Sequence, residues 1–413
     1  MKERRVVVTG FAGISPLGNS WEAVRTKLLS CTNAVRVMEA WNEITGLKTK
    51  VACPAAPFDL PPERYNRKSM RSMGRVGVMA VRATEWALED AGLSNDPLVV
   101  SGSMGIAYGS SAGTPSAIAD VSNLLLRKTT LGMNANTYVR MMSHTAPVNI
   151  GLFFHMHGRI IPTSSACTSG SQGIGFAYEA IRFGRQTAMV AGGSEELDAS
   201  DAAIFDTLFA ASTEFNDAPQ LTPRPFDAHR DGLVIGEGAG TLILEDLDHA
   251  LARGARIHAE IVGFANTSDG THVTSPQSEQ MAQCMKMALA DAGLAPEDIG
   301  YVNLHGTATD RGDAAESAAT YQVFGDKVPV STLKSYMGHT LGACGALEAW
   351  MSIRMMNEGW FAPNVNLEER AQDCAALDYI VKKPRSVHAD YVMSNNFAFG
   401  GINTSLIFKR WEN

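Results

Sequence analysis

The chain has 413 residues, 45% of them apolar and 19% charged, and a formal net charge of −8 at pH 7. This is the composition of a globular protein long enough to bury a large core, and its acidic balance excludes a globally basic, nucleic-acid-binding surface. No apolar run reaches the ~18 residues of a membrane span, and the start, MKERRVVVTG, is charged and then strand-like rather than a secretory leader.

Short apolar runs alternate with amphipathic helical patterns along the chain. RRVVVTG reads as a buried strand, VGVMAVRATEWALEDAG as a helix closed by a glycine, and MGIAYGS as a second strand. RIIPTSSAC reads as a strand ending on Cys167. GSQGIGFAYEAIRFG then places Ile174, Ala177, Tyr178 and Ile181 at i, i+3, i+4 and i+7, one face of a helix. TAMVAGGSEE is a strand, and GEGAG before TLILE reads as a tight turn. The cycle restarts near Arg256: RIHAEIVGFA (strand), EQMAQCMKMALADAGL (helix), IGYVNLHG (strand), DRGDAAESAATYQVFG (helix), KVPVST (strand), GALEAWMSIRMMNEG (helix). YVMSNNFAFGGINTSLIF closes the chain as two strands around a Gly-Gly turn. This alternation predicts an α/β fold with a mostly parallel sheet. The restart predicts two similar halves, residues 1–255 and 256–413, forming one compact unit.

The six cysteines are Cys31, Cys53, Cys167, Cys284, Cys344 and Cys374, none in a CxxC pair. Reduced thiols in the cytoplasm are expected, with no metal site and no redox dithiol. Cys167 differs from the others: its neighbours, SSACTSGS, are all small, and it sits where a strand turns into a helix N-terminus. Such a position favours thiolate, and small neighbours would leave a substrate carbonyl room to approach. His305 in NLHGTATDRGDAAE follows a strand end, with Thr307 and Thr309 beside it. Lys334 and His339 lie in the loop after VPVST, before a helix that carries Glu348. Phe399 occupies the last turn. In a parallel sheet such strand ends converge on one crevice. One base suffices to activate a cysteine for hydrolysis or acyl transfer. Two donor imidazoles can hold a developing enolate oxygen, which favours carbon–carbon bond formation. His272, in DGTHVTSP, has no identifiable partner and reads as structural. No phosphate-cradling loop or dinucleotide fingerprint is present.

In this order the motifs resemble the β-ketoacyl synthases of the thiolase superfamily, specifically the Cys-His-His elongating enzymes of fatty acid and polyketide synthesis. The segments that carry the resemblance, from RRVVVTGFAGISPLG through SSACTSGSQGIGFAYEAIRFG, RPFDAHRDGLVIGEGAGTLILE, NLHGTATDRGDAAE and LKSYMGHTLGACGALEA to NNFAFGGINTS, span almost the whole chain. The resemblance implies a five-layer αβαβα fold of two similar halves, and decarboxylative condensation of a malonyl carrier protein with an acyl group held on Cys167. It implies that His305 and His339 bind the malonyl thioester carbonyl. Lys334, tied to Glu348, would set their electrostatics. The amides of Cys167 and Phe399 would form the oxyanion hole, with Phe399 also a gate. Thr307 and Thr309 would contact the phosphopantetheine arm. No bound cofactor is implied, since the substrates ride on the carrier's own arm. The expected assembly is a homodimer, with a heterodimer containing a ketosynthase-like partner left open.

Two departures from the family pattern carry information. Ala112, in YGSSAGTP, stands where many elongating enzymes have a bulkier isoleucine gating the acyl pocket. TATDRG replaces the more usual TSTPAG. Both point to a specialised lipid or polyene pathway. Arg67, Lys68 and Arg71 in RYNRKSMRSMGR, with Arg127 and Lys128 in LLLRKTT, fall where the family receives its acidic acyl carrier protein; a solvated basic face is the competing explanation. Three other functions are weighed against the enzyme. A non-catalytic chain-length partner would lack the nucleophilic cysteine. A thiolase or priming synthase would carry Cys-His-Cys or Cys-His-Asn. A carrier-binding module would show no turnover.

Overall fold

The structure is a computed structural model that describes residues 3–412. Eleven strands form one sheet. In chain order they are β1 (Val6–Ile14), β2 (Met104–Gly109), β3 (Ile160–Thr163), β4 (Ala188–Glu195), β5 (Gly238–Asp246), β6 (Ala259–Ser268), β7 (Ile299–Asn303), β8 (Pro329–Ser331), β9 (Asp378–Tyr379), β10 (Tyr391–Ala398) and β11 (Ile402–Arg410). Across the sheet the order is β9-β8-β7-β10-β11-β6-β1-β5-β4-β2-β3. The helices that matter to the site are α1 (Arg75–Asp90), α2 (Pro115–Arg127), α3 (Thr145–Phe154), α4 (Ser169–Arg182), α5 (Ser278–Ala292), α6 (Asp310–Phe324) and α7 (Cys344–Glu358).

The sheet is mixed, which corrects the expectation of a mostly parallel one. Strands β3, β2 and β4 at one side, and β9, β8, β7 and β10 at the other, pair in parallel. The middle, β10-β11-β6-β1-β5-β4, is antiparallel throughout. Each half is a set of parallel strands with crossover helices, closed by an antiparallel return: β10 runs into β11 through a tight turn, whereas β4 reaches β5 through a long connection that includes the helix Ala199–Thr207. An antiparallel return needs no crossover, and that feature alternation of strands and helices did not disclose.

The spatial order β1-β5-β4-β2-β3 of the first half recurs as β6-β11-β10-β7-β8 in the second. Within the sheet the halves join where Val6, Val7 and Val8 of β1 pair with Ile261, Glu260 and Ala259 of β6. Helices α1 and α3 cover the outer face of the first half, and α5 and α6 that of the second. Helices α4 and α7 pack against strands of both halves and so form a central layer. The result is five layers, αβαβα, as the resemblance implied. The predicted face of α4 is buried: Ile174, Ala177, Tyr178 and Ile181 share one core cluster with Val6, Val8, Leu242, Leu347 and Trp350. Each of the two isoleucines contributes roughly 1.5–3 kcal/mol on burial.

GEGAG is not a turn. Its last three residues begin β5, pairing through Gly238 to Glu195 and Gly240 to Gly13. A Cβ on Gly240 would meet the Leu347 backbone nitrogen at 2.7 Å, so this glycine lets α7 lie directly on the strand. Among the described residues no helix is long and apolar enough to cross a membrane.

Candidate active site

Cys167 belongs to a single 3-10 turn, Ala166–Thr168, that leads from β3 into α4. His339 lies in the matching place of the second half, just before the 3-10 turn Leu341–Ala343 that leads into α7. Ala166 and Leu341 hold φ values of 51° and 46°, a left-handed conformation unusual for side-chain-bearing residues, at equivalent points of the two turns. The N-termini of α4 and α7 meet face to face. A Cβ on Gly170 would lie 2.9 Å from the Gly342 carbonyl oxygen, and one on Gly345 would lie 2.7 Å from the Ser171 nitrogen. The small residues around Cys167 therefore serve this close crossing, and not chiefly an approaching carbonyl as the sequence suggested.

The crossing brings the predicted residues together. His339 Nε2 lies 2.9 Å from Cys167 Sγ. The two imidazoles have ring centroids 5.1 Å apart and are nearly perpendicular. Lys334 Nζ donates to His305 Nδ1 at 3.1 Å and to Glu348 Oε1 at 2.5 Å. Asn396 Nδ2 donates to the other oxygen of Glu348 at 2.8 Å. All of these residues are buried.

The hydrogen bonds fix both tautomers. His305 Nδ1 accepts from Lys334, and His339 Nδ1 accepts from the Leu341 N–H at 3.2 Å. Each imidazole therefore carries its proton on Nε2. Burial, with the Lys334 charge second, pushes both histidines well below their usual pKa, and His305 is lowered further by His339. Both are neutral N–H donors at physiological pH. Burial works against the Lys334 charge, but Cys344 and Glu348 outweigh it and the ammonium is retained.

The ligand atoms of Cys167, His305 and His339 lie within 4.8 Å of one another, close enough to suggest a metal site. The tautomers argue against that use. A metal-bound histidine normally donates through its other nitrogen, whereas here both other nitrogens accept. The cluster is arranged to donate two hydrogen bonds.

The Cys167 thiol does not match the thiolate expected at a helix N-terminus. Burial raises its pKa to about 11; the Lys334 charge and the backbone N–H groups of Phe399 and Cys167 pull it back only in part. Phe399 stacks at 5.5 Å, tilted, on Phe205, and its loop is tied down by Gly400 N–H to the Val273 carbonyl and Asp269 N–H to the Gly401 carbonyl.

A cavity of about 380 Å³ opens from the cluster to the surface. Cys167, His305, His339 and Phe399 lie on its wall, as do Thr307 and Thr309, whose hydroxyls are 3.0 Å apart. His272 lines it too and is exposed; its Nδ1 accepts the Thr274 N–H at 3.1 Å, a contact within its own loop. Ala112 is half-buried in the loop after β2 and is not on the cavity wall; Ser111 beside it is bonded to the buried Glu195. Arg67, Lys68, Arg71, Arg127 and Lys128 are all exposed, whereas Arg64 and Arg75 of the same basic run bind the buried carboxylates Glu85 and Glu237. Two positioning residues, Glu316 and Asp313, lie in the NLHGTATDRGDAAE segment without a specific sequence signal of their role. Glu316 accepts the N–H groups of His305 and Gly306 at 2.6 and 2.7 Å. Asp313 accepts that of Ala308 at 3.1 Å. Both are acids within a helix that follows a catalytic loop, which was the available signal.

A buried cysteine facing two neutral imidazole donors at the crossing of two related half-folds defines a thiol-dependent, carbon–carbon-bond-forming acyltransferase. Residues 3–250 match the beta-ketoacyl synthase N-terminal domain, and residues 258–368 the C-terminal domain. The chain is 37% identical over 414 residues, 99% of its length and all of the relative's, to 3-oxoacyl-[acyl-carrier-protein] synthase 1 of Haemophilus influenzae. It superposes with a TM-score of 0.97 on a beta-ketoacyl synthase from Burkholderia phymatum, at 55% identity over 99% of this chain and 100% of the other. With the ishigamide ketosynthase/chain length factor the TM-score is 0.91, at 31% identity over the same shares. The chain belongs to the beta-ketoacyl synthase family.

Proposed function

We propose that the protein elongates an acyl chain by decarboxylative Claisen condensation on acyl carrier protein. Cys167 Sγ attacks the carbonyl of an acyl-carrier thioester, and the amides of Cys167 and Phe399 receive the oxygen's charge. The carrier leaves as its thiol, with the proton that Cys167 gives up. Malonyl carrier protein then enters, its thioester oxygen accepting from Nε2–H of His305 and of His339. The bond to the carboxylate breaks and carbon dioxide leaves, its electron pair passing into an enolate held by the same two donors. The enolate carbon attacks the acyl carbon on Cys167, the C–S bond breaks, and the sulfur takes up a proton. A β-ketoacyl carrier two carbons longer departs. This is ping-pong covalent catalysis. It calls for no bound cofactor, because the reactive arm arrives with the carrier.

The observation that carries this reading is the pair of fixed Nε2–H tautomers facing Cys167 in one cavity. A hydrolase would need one base able to take a proton, whereas both imidazoles here are held neutral with the proton outward. The carrier is supported by the name of the Haemophilus influenzae relative, and the exposed Arg67, Lys68, Arg71, Arg127 and Lys128 suit an acidic protein. We place the enzyme in the cytoplasm, where its free cysteines stay reduced, as a homodimer; the ketosynthase/chain length factor relative keeps a heterodimer in view. The alternative, a non-catalytic chain-length partner, is disfavoured by the presence of Cys167.

Intact-mass measurement after mixing with acyl carriers of varied length and malonyl carrier protein tests the proposal. A Cys167 acyl adduct and a two-carbon-longer β-ketoacyl carrier are expected. No acyl transfer to Cys167 would end it.

A further inference from the structure

Among the described residues on the cavity wall there is a single lysine or arginine, Arg311. It stands two residues beyond Thr309, in the first turn of α6, and is exposed. A cation there gains nothing from the helix, whose dipole favours anions at that end. Nor is it neutralised by its surroundings. Asp310 lies 3.6 Å from Arg230, which also binds Asp373 at 2.7 Å. Asp231 accepts the N–H groups of Thr213 and Glu214, and Asp269 is bonded to Asn403 and Gln277. The acids that line the cavity with Arg311 are thus engaged by other partners, and no carboxylate lies within ion-pair distance of its guanidinium among the described residues. Gly312 beside it keeps the threonine pair open, since a Cβ there would meet Thr309 Oγ1 at 2.5 Å and Thr307 Oγ1 at 3.0 Å.

We infer that Arg311 binds the phosphate of the incoming phosphopantetheine arm, and so selects phosphorylated thioesters over plain pantetheine thioesters. The inference rests on the condensing reading above. A thioester whose carbonyl reaches Cys167 runs out past Thr307 and Thr309, and the only permanent charge along such an arm is the phosphate at its far end. A planar guanidinium is the side chain best matched to that group.

The experiment compares acyl-pantetheine with acyl-4′-phosphopantetheine as donors for Cys167 acylation, on the wild type, Arg311→Gln and Arg311→Lys. The readout is the ratio of kcat/KM between the two donors on each protein, which a general loss of activity or of folded material leaves untouched. The wild type is expected to prefer the phosphorylated donor by roughly fivefold or more, carried by KM. Arg311→Gln should bring the ratio close to one, and Arg311→Lys should restore part of it. An Arg311→Gln ratio equal to that of the wild type overturns the assignment while leaving the condensing chemistry intact. Failure of every donor to acylate wild-type Cys167 overturns the condensing reading, and the inference with it.

Discussion

His339 Nε2 and Cys167 Sγ lie 2.9 Å apart, although 172 residues separate them in the chain. Each sits at the turn into the central helix of its own half, so the contact follows from the internal symmetry of the fold. The nitrogen donates to the sulfur and does not draw its proton away, because the other ring nitrogen already accepts from the Leu341 N–H.

That arrangement sets a pH dependence for the nucleophile. Burial holds the Cys167 pKa at about 11, above its ordinary value, so the thiolate fraction rises with pH throughout the neutral and mildly alkaline range. Alkylation of Cys167 by iodoacetamide should therefore accelerate about tenfold per pH unit between pH 7 and 9. A rate that is already flat at neutral pH would show a resting thiolate and contradict the burial argument. Cys167→Ser should retain the fold and lose acyl transfer.

Lys334 and Glu348 form a fully buried ion pair. Removing one partner strands the other charge, at a cost of about 3–5 kcal/mol. Lys334→Ala and Glu348→Ala should each lower the melting temperature sharply. The double variant Lys334→Met/Glu348→Leu, with an apolar pair of similar volume, should recover most of the stability without the activity, because the charged donor to His305 Nδ1 would be gone and only the longer contact from Asn396 Nδ2, at 3.4 Å, would remain. Recovery of decarboxylation of malonyl carrier along with stability would show that Lys334 acts only as scaffold.

The chemistry-bearing residues were legible because each lies in a loop with a distinct local signature. Cys167 has only small neighbours, His305 is followed by threonines, and Lys334 and His339 precede a helix start rich in small residues. Their joint purpose was legible only from their order along the chain. The reason for the small residues was not: Gly170 and Gly345 are explained by a helix from the other half, and no local pattern announces a partner that distant. The antiparallel middle of the sheet was missed for a related reason, since period and alternation identify strands without fixing their direction. Burial also reversed the expectation for the thiol, because a sequence places Cys167 at a helix N-terminus but does not give the dielectric around it. His272 was set aside for want of a sequence partner; the cavity that it lines is made by loops far from it in the chain.

Glu316 supports a stability prediction with a definite sign. Burial raises its pKa to about 8, even though the N–H groups of Gly306 and His305 favour the charged form. A carboxyl that holds its proton more tightly in the folded state contributes stability below its ordinary pKa and loses that contribution as pH rises through the folded value. Glu316→Gln removes the titration. The wild-type advantage in melting temperature over this variant should thus shrink between pH 5 and pH 9. Because Glu316 anchors the His305 backbone, the variant should also lose about tenfold in kcat with little change in KM. A melting difference that is constant across that range would mean that Glu316 does not titrate there.

The basic surface makes a prediction about association. Arg67, Lys68, Arg127 and Lys128 are exposed, and none is committed to a carboxylate within ion-pair distance among the described residues, unlike Arg64 and Arg75 nearby in sequence. Such charges act chiefly on encounter rate with an oppositely charged partner, and salt screens them over a Debye length of about 10 Å at 0.1 M. Reversing all four to glutamate should raise KM for carrier-bound substrate by roughly tenfold or more at low salt and leave KM for an acyl-pantetheine thioester unchanged. The penalty should fade as ionic strength rises. An unchanged carrier KM at low salt would reduce these four residues to an ordinary solvated face, and the carrier would have to approach the Arg311 mouth over a different surface.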